Sequence, residues 1–174
     1  MRITDLLKKD SILLNQKLGS KTEAIDLLAS LHEKVGNLSD LSAYKSAILA
    51  REAQGSTAVG DGIAIPHAKS NAVKCPGLAA VTVPDGVDYE ALDGKPSNLI
   101  FMIAAPMDGG LHLEVLSRLM TMLMDGDFRK ELLAAKSADE FLAVIDKKET
   151  EKYPDEAKAA EPEKKDGYRV LAVT

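Results

Sequence analysis

The stretch Leu99-Ile100-Phe101-Met102-Ile103-Ala104-Ala105 holds seven consecutive apolar residues, and turn chemistry at Gly109-Gly110 follows it. A run this short, with β-branched and aromatic members, reads as a strand buried on both faces. Beyond the glycines, Leu113, Leu116, Leu119, Met120 and Leu123 recur at helical spacing, so the strand leads into a long amphipathic helix. A second apolar run, Leu78 to Val83, has the same character, and Ile63-Ala64-Ile65 is a candidate third strand. Strands hidden on both faces need a covering layer on each side. The expected fold is therefore α/β: a mixed β-sheet sandwiched by helices.

The flanking sequence supplies those helices. Ser20 and Glu23 stand at capping-box spacing, and Ala24, Ile25, Leu28, Leu31 and Val35 follow with helical periodicity until Gly36. A second helix begins between Asn37 and Ser42, places Leu41, Tyr44, Ile48 and Leu49 on one face, and runs to about Glu52. Two shorter ones follow the long helix: Phe128 to Ala135, then a segment capped by Ser137 with Glu140 at the box position. Residues 1–146 are thus read as one domain. Residues 147–167 are Lys, Glu, Asp, Ala and Pro with almost nothing to bury, and read as a linker. Tyr168 to Thr174 returns to a strand-like pattern, as if another domain were beginning.

Charge and composition narrow the function. The 174 residues carry a net charge of −5, and no basic stripe interleaved with aromatics appears, which argues against nucleic acid. The single cysteine, Cys75, excludes an intramolecular disulfide framework, fits a reducing cytoplasm, and is read as structural. No apolar run approaches the roughly 20 residues of a membrane helix.

Few residues are left to carry chemistry. His67 follows Ile65-Pro66; the proline fixes its own φ and drives Ile65 into an extended conformation, which would hold the next side chain at a rigid strand end. An ordinary turn histidine is the bland alternative. His112 lies in the first turn of the long helix, where free N–H groups and the dipole favour an anion and a neutral imidazole; a plain polar first-turn residue is the commoner case. Arg51 ends the second helix just before Gly55-Ser56-Thr57. Its planar fork and the two hydroxyls suit phosphoryl oxygens, although a C-terminal arginine opposing the helix dipole would also explain it. His32 reads as a helix-surface residue. Gly60 and Gly62 lack the rest of a nucleotide fingerprint, and the separated histidines make no metal site. No cofactor is expected. Together these residues suit phosphoryl transfer through a neutral imidazole, which needs mainly positioning and charge stabilisation.

The run from Arg51 to Lys69, with Gly60-Asp61-Gly62-Ile63-Ala64-Ile65-Pro66-His67 at its heart, resembles the active-site signature of the fructose/mannitol class of phosphotransferase-system IIA domains. The likeness extends to about residue 146 and includes Leu111-His112-Leu113 at the place of that family's second histidine; Ala58 departs from a frequent glycine. The resemblance implies that His67 accepts phosphate from the phosphohistidine of HPr and passes it to a cysteine of a IIB domain. It also implies reaction through Nε2, with Nδ1 oriented by a neighbouring acceptor. Residues 168–174 look like the first strand of a fructose-class IIB domain. The expectation is then the N-terminal part of a IIA-IIB or IIA-IIB-IIC transporter, cytoplasmic and tethered to the membrane through IIC. Two alternatives stand beside it: a nitrogen-related regulatory IIA protein, and a phosphorylation-sensing module fused to a transcriptional regulator.

Overall fold

The computed structural model describes residues 2–154. In chain order the elements are α1 (Ile3–Leu6), β1 (Leu7–Leu13), α2 (Lys21–Lys34), α3 (Leu41–Ala53), β2 (Ala58–Gly60), β3 (Ile63–Ala64), β4 (His67–Lys69), β5 (Gly77–Val87), β6 (Ser97–Ala105), α4 (Leu111–Leu123), α5 (Gly126–Ala134) and α6 (Ala138–Lys152). The six strands form one mixed sheet in the order β1-β5-β6-β3-β2, with β4 also pairing with β6. β5 and β6 pair antiparallel at the centre, whereas β1 runs parallel to β5.

The two apolar runs are buried because alternate residues feed different cores. Ala79, Val81 and Val83 of β5 and Ile100, Met102 and Ala104 of β6 point into a cluster with Ile25 and Leu28 of α2 and Tyr44 and Ile48 of α3. Leu78 and Ala80, with Leu99, Phe101 and Ile103, point the other way, toward Ile3, Val115, Leu119, Phe128, Phe141 and Ile145. So α2 and α3 cover one face, and α1, α4, α5 and α6 the other. The mixed sheet between helical layers is the arrangement the sequence implies.

Helix starts follow the side chains that cap them. Ser20 accepts the Glu23 N–H at 3.2 Å, and Ser137 accepts that of Glu140 at 3.1 Å. The reciprocal glutamates reach one residue further back than a simple box, to the N–H of Gly19 (2.6 Å) and of Lys136 (3.0 Å). α3 begins after Asp40, whose carboxylate accepts the Ala43 N–H at 3.0 Å.

Three expectations need correction. His32 is fully buried rather than on the surface. Its Nε2 donates to the Met102 carbonyl at 3.0 Å, and its Nδ1 accepts from the Asn37 amide at 3.0 Å, so both ring nitrogens are satisfied only by the neutral form. Burial holds its pKa down at about 4. The linker does not begin at 147: α6 continues to Lys152 because Glu149 is completely buried, accepting the Ile3 N–H at 2.7 Å and pairing with Arg2 (3.6 Å) and Arg118 (3.4 Å). A charged stretch thus docks on the start of the chain. Cys75, read as structural, is exposed. The strand expected over 168–174 and the linker beyond residue 154 lie outside the described residues.

Candidate functional site

His67 owes its place to an interruption in a strand. β3 and β4 both run parallel to β6, at Leu99–Ile100 and at Ile103–Ala105 respectively. Between them Pro66 has no N–H to give to a ladder. Its carbonyl still accepts the Ile103 N–H at 2.9 Å, while the Ile65 N–H turns to the Thr57 carbonyl at 3.1 Å. The Ile65 carbonyl faces the His67 ring, 2.8 Å from Nδ1. A carbonyl can only accept, so Nδ1 carries the proton and Nε2 keeps its lone pair. His67 is half-buried, able to meet a partner in one orientation.

His112 comes from the far end of β6. That strand stops at Ala105, the chain turns through Gly109 at φ 82°, and α4 starts after Gly110 without a side-chain cap. The N–H groups of Leu113 and Glu114 turn to the Gly110 carbonyl, while those of Leu111 and His112 precede the first intrahelical bond, which favours an anion at this end. The His67 and His112 ring centroids are 6.3 Å apart. The Nδ1 of His112 is buried without a hydrogen-bond partner. Burial, then the charge of Lys69, lowers the His112 pKa and favours its neutral imidazole. A neutral ring donates one N–H without bringing a second positive charge.

Arg51 lies half-buried in the last turn of α3, and its guanidinium donates to the Gly55 carbonyl at 3.0 Å. The other N–H groups of the fork are not used in that contact. Ser56 and Thr57 are engaged differently. The Ser56 hydroxyl donates to the Tyr89 carbonyl at 2.8 Å and accepts the Ala58 N–H at 3.1 Å. The Thr57 hydroxyl donates to the Glu52 carboxylate, which also accepts the Thr57 N–H at 3.1 Å. Each hydroxyl has one proton, so in this conformation neither is offered to an anion. They shape the loop that follows α3 and supports Ile65.

Glu52, Lys21 and Tyr89, which the sequence reading did not single out, sit behind this loop. Lys21 pairs with Glu52 at 3.0 Å, and the Tyr89 hydroxyl donates to Glu52 at 3.2 Å. Burial works against the Lys21 charge, but its hydrogen bonds and proximity to Glu52 and Glu90 outweigh that and raise its pKa. A buried Glu at a helix end gives no periodic signal, so only its spacing of five residues from Thr57 could have suggested the contact.

Among the described residues, no cluster of three or more potential metal ligands occurs and no helix is long and apolar enough to cross a membrane. The family described as phosphoenolpyruvate-dependent sugar phosphotransferase system, EIIA 2, matches residues 5–148. The PTS system fructose-specific EIIABC component of Bacillus subtilis is 50% identical over 146 residues, an alignment covering 83% of this chain and 23% of that protein. The chain thus spans about a quarter of that relative's length. The crystal structure of nitrogen regulatory protein IIA-Ntr from Neisseria meningitidis superposes with a TM-score of 0.75 at 34% identity, covering 81% of this chain and 97% of that one. The complex of enzyme IIAMTL and phosphorylated enzyme IIBMTL from Escherichia coli matches with a TM-score of 0.72 at 27% identity, covering 82% and 99%. With the strand-Pro-His site, the paired histidines and the match over 5–148 in agreement, the chain belongs to the EIIA 2 family of the sugar phosphotransferase system, whose IIA components are phosphotransferases.

Proposed function

We propose that this domain carries a phosphoryl group on Nε2 of His67, taking it from phospho-HPr and passing it to a cysteine of a IIB domain for fructose-type sugar uptake. The observation that carries the reading is the hydrogen bond from His67 Nδ1 to the Ile65 carbonyl at 2.8 Å, which leaves Nε2 as the nucleophile. In the first step the Nε2 lone pair forms a bond to phosphorus as the donor's nitrogen–phosphorus bond breaks, and the donor imidazole leaves with that electron pair. His67 keeps its Nδ1 proton throughout. In the second step a IIB thiolate bonds to phosphorus and the electron pair returns to Nε2. Neither step needs a nucleotide or a metal.

In this reading His112 and the N–H groups at the start of α4 steady the phosphoryl oxygens, with the remaining N–H groups of Arg51 as further donors. Ser56 and Thr57 contribute by holding the loop. Met107 and Leu113 are exposed close to His112 in sequence and offer apolar area for a docking protein. Fructose, IIB in the same polypeptide, and membrane attachment through IIC rest on the likeness to the fructose-specific EIIABC component. The likeness to IIA-Ntr supports a second reading, a regulatory phosphoprotein without onward transfer.

The test is intact-mass measurement after incubation with phosphoenolpyruvate, Enzyme I and HPr. The wild type gains one acid-labile phosphoryl group and His67→Ala gains none; labelling that persists in His67→Ala contradicts the site. Discharge to a IIB domain separates the transport reading from the regulatory one.

A further inference from the structure

Glu52 is buried at the end of α3, and its two carboxylate oxygens meet four donors. One oxygen accepts the Thr57 N–H at 3.1 Å and lies 3.0 Å from the Lys21 ammonium. The other accepts the Thr57 hydroxyl and, at 3.2 Å, the Tyr89 hydroxyl. A carboxylate accepts from all four at once, whereas an amide would lose the ion pair with Lys21 and would force both hydroxyls to reverse and accept from its NH2.

Thr57, held at both its N–H and its side chain, presents its carbonyl to the Ile65 N–H at 3.1 Å. Ile65 in turn presents its own carbonyl to His67 Nδ1 at 2.8 Å. Glu52 is therefore joined to the His67 ring through two residues and two hydrogen bonds to backbone carbonyls, and Lys21 from α2 and Tyr89 after β5 brace it from two other parts of the chain. Pro66 supplies no N–H of its own, so the Thr57 carbonyl is a principal tie on this interrupted strand.

We infer that Glu52 is the positioning residue of the His67 site, setting the orientation and tautomer of the imidazole through Thr57 and Ile65 without touching the phosphoryl group. This rests on the reading of His67 as the phosphoryl acceptor. Loosening the Ile65 carbonyl would let the ring turn and share its proton between the two nitrogens, which removes lone-pair character from Nε2. Small misplacements of a reacting group cost large factors in rate.

The experiment uses the full chain with 15N-labelled histidine, reading the His67 tautomer by long-range nitrogen–proton correlations, and phosphoryl transfer from phospho-HPr in parallel. Wild type shows a single Nδ1–H tautomer. Glu52→Gln shows a mixture of tautomers and a maximal transfer rate lowered about tenfold, with the KM for phospho-HPr unchanged. Should Glu52→Gln fail to fold, Tyr89→Phe and Lys21→Met, each removing one donor to Glu52, show the same two changes at about threefold. Folded variants that keep the wild-type tautomer and rate overturn the inference. A wild type that accepts no phosphate from charged HPr defeats the acceptor reading instead, and the tautomer measurement still decides the role of Glu52.

Discussion

The carbonyl oxygen of Ile65 and the Nδ1 of His67, two residues apart and 2.8 Å from each other, fix which ring nitrogen carries the proton and which keeps its lone pair. The contact exists because Pro66 breaks the run between β3 and β4 and leaves that carbonyl facing the ring rather than a neighbouring strand. A two-residue interruption in a parallel strand, Ile65-Pro66, thereby converts a sheet position into an oriented imidazole.

In the proposed transfer, His112 and Arg51 are supporting donors and not the nucleophile. His112→Ala and Arg51→Ala are each expected to lower the rate of acceptance from phospho-HPr about ten- to a hundredfold while retaining a measurable product, as loss of a single anion-stabilising donor does. Rapid-quench measurement of phosphoryl transfer checks this. Wild-type kinetics in either variant removes that residue from the site.

Acid should destabilise the fold through His32. Its pKa is held at about 4 in the folded state against about 6.5 in the unfolded chain. Between those values the unfolded state binds more protons, so stability falls as pH drops from about 6.5 toward 4, by roughly 3 kcal/mol in all. The lowered pKa of His112 adds a contribution of the same sign. Urea midpoints across this range should fall in the wild type, and the slope should flatten in His32→Gln, whose amide can still donate to Met102 and accept from Asn37. An unchanged slope would remove His32 from the acid response.

The last turns of α6 belong to the domain. Truncation after Asp146 removes the buried Glu149 that binds the Ile3 N–H and pairs with Arg2 and Arg118. It should cost about 3–5 kcal/mol, the range for removing one partner of a buried ion pair. Truncation after Pro154 should be close to neutral. Comparing the two by chemical denaturation tests the boundary, and equal stability would return it to residue 146.

The sequence was legible where a period or a fixed dihedral carried the information. The runs at Leu78 and Leu99 announced central strands because no polar residue interrupts them, and Pro66 drew attention to His67. His32 was misread although it lies four residues after Leu28 on the apolar face of α2; its polarity concealed that Met102 and Asn37 satisfy both nitrogens. Glu149 was misread for the same reason, since its partners Arg2 and Ile3 lie at the start of the chain. Glu52 escaped notice because one helix-end carboxylate has no pattern, and its meaning comes from Lys21, Thr57 and Tyr89 converging on it. Buried polar residues are thus where one-dimensional reading fails, since pairing over long separations decides their burial.

The measurement that tests the account most directly is phosphorus–nitrogen correlation on the 15N-histidine-labelled protein after charging by phospho-HPr. The account predicts one phosphorus signal coupled to Nε2 of His67, with Nδ1 still protonated. Coupling to Nδ1 of His67, or to either nitrogen of His112, would contradict it.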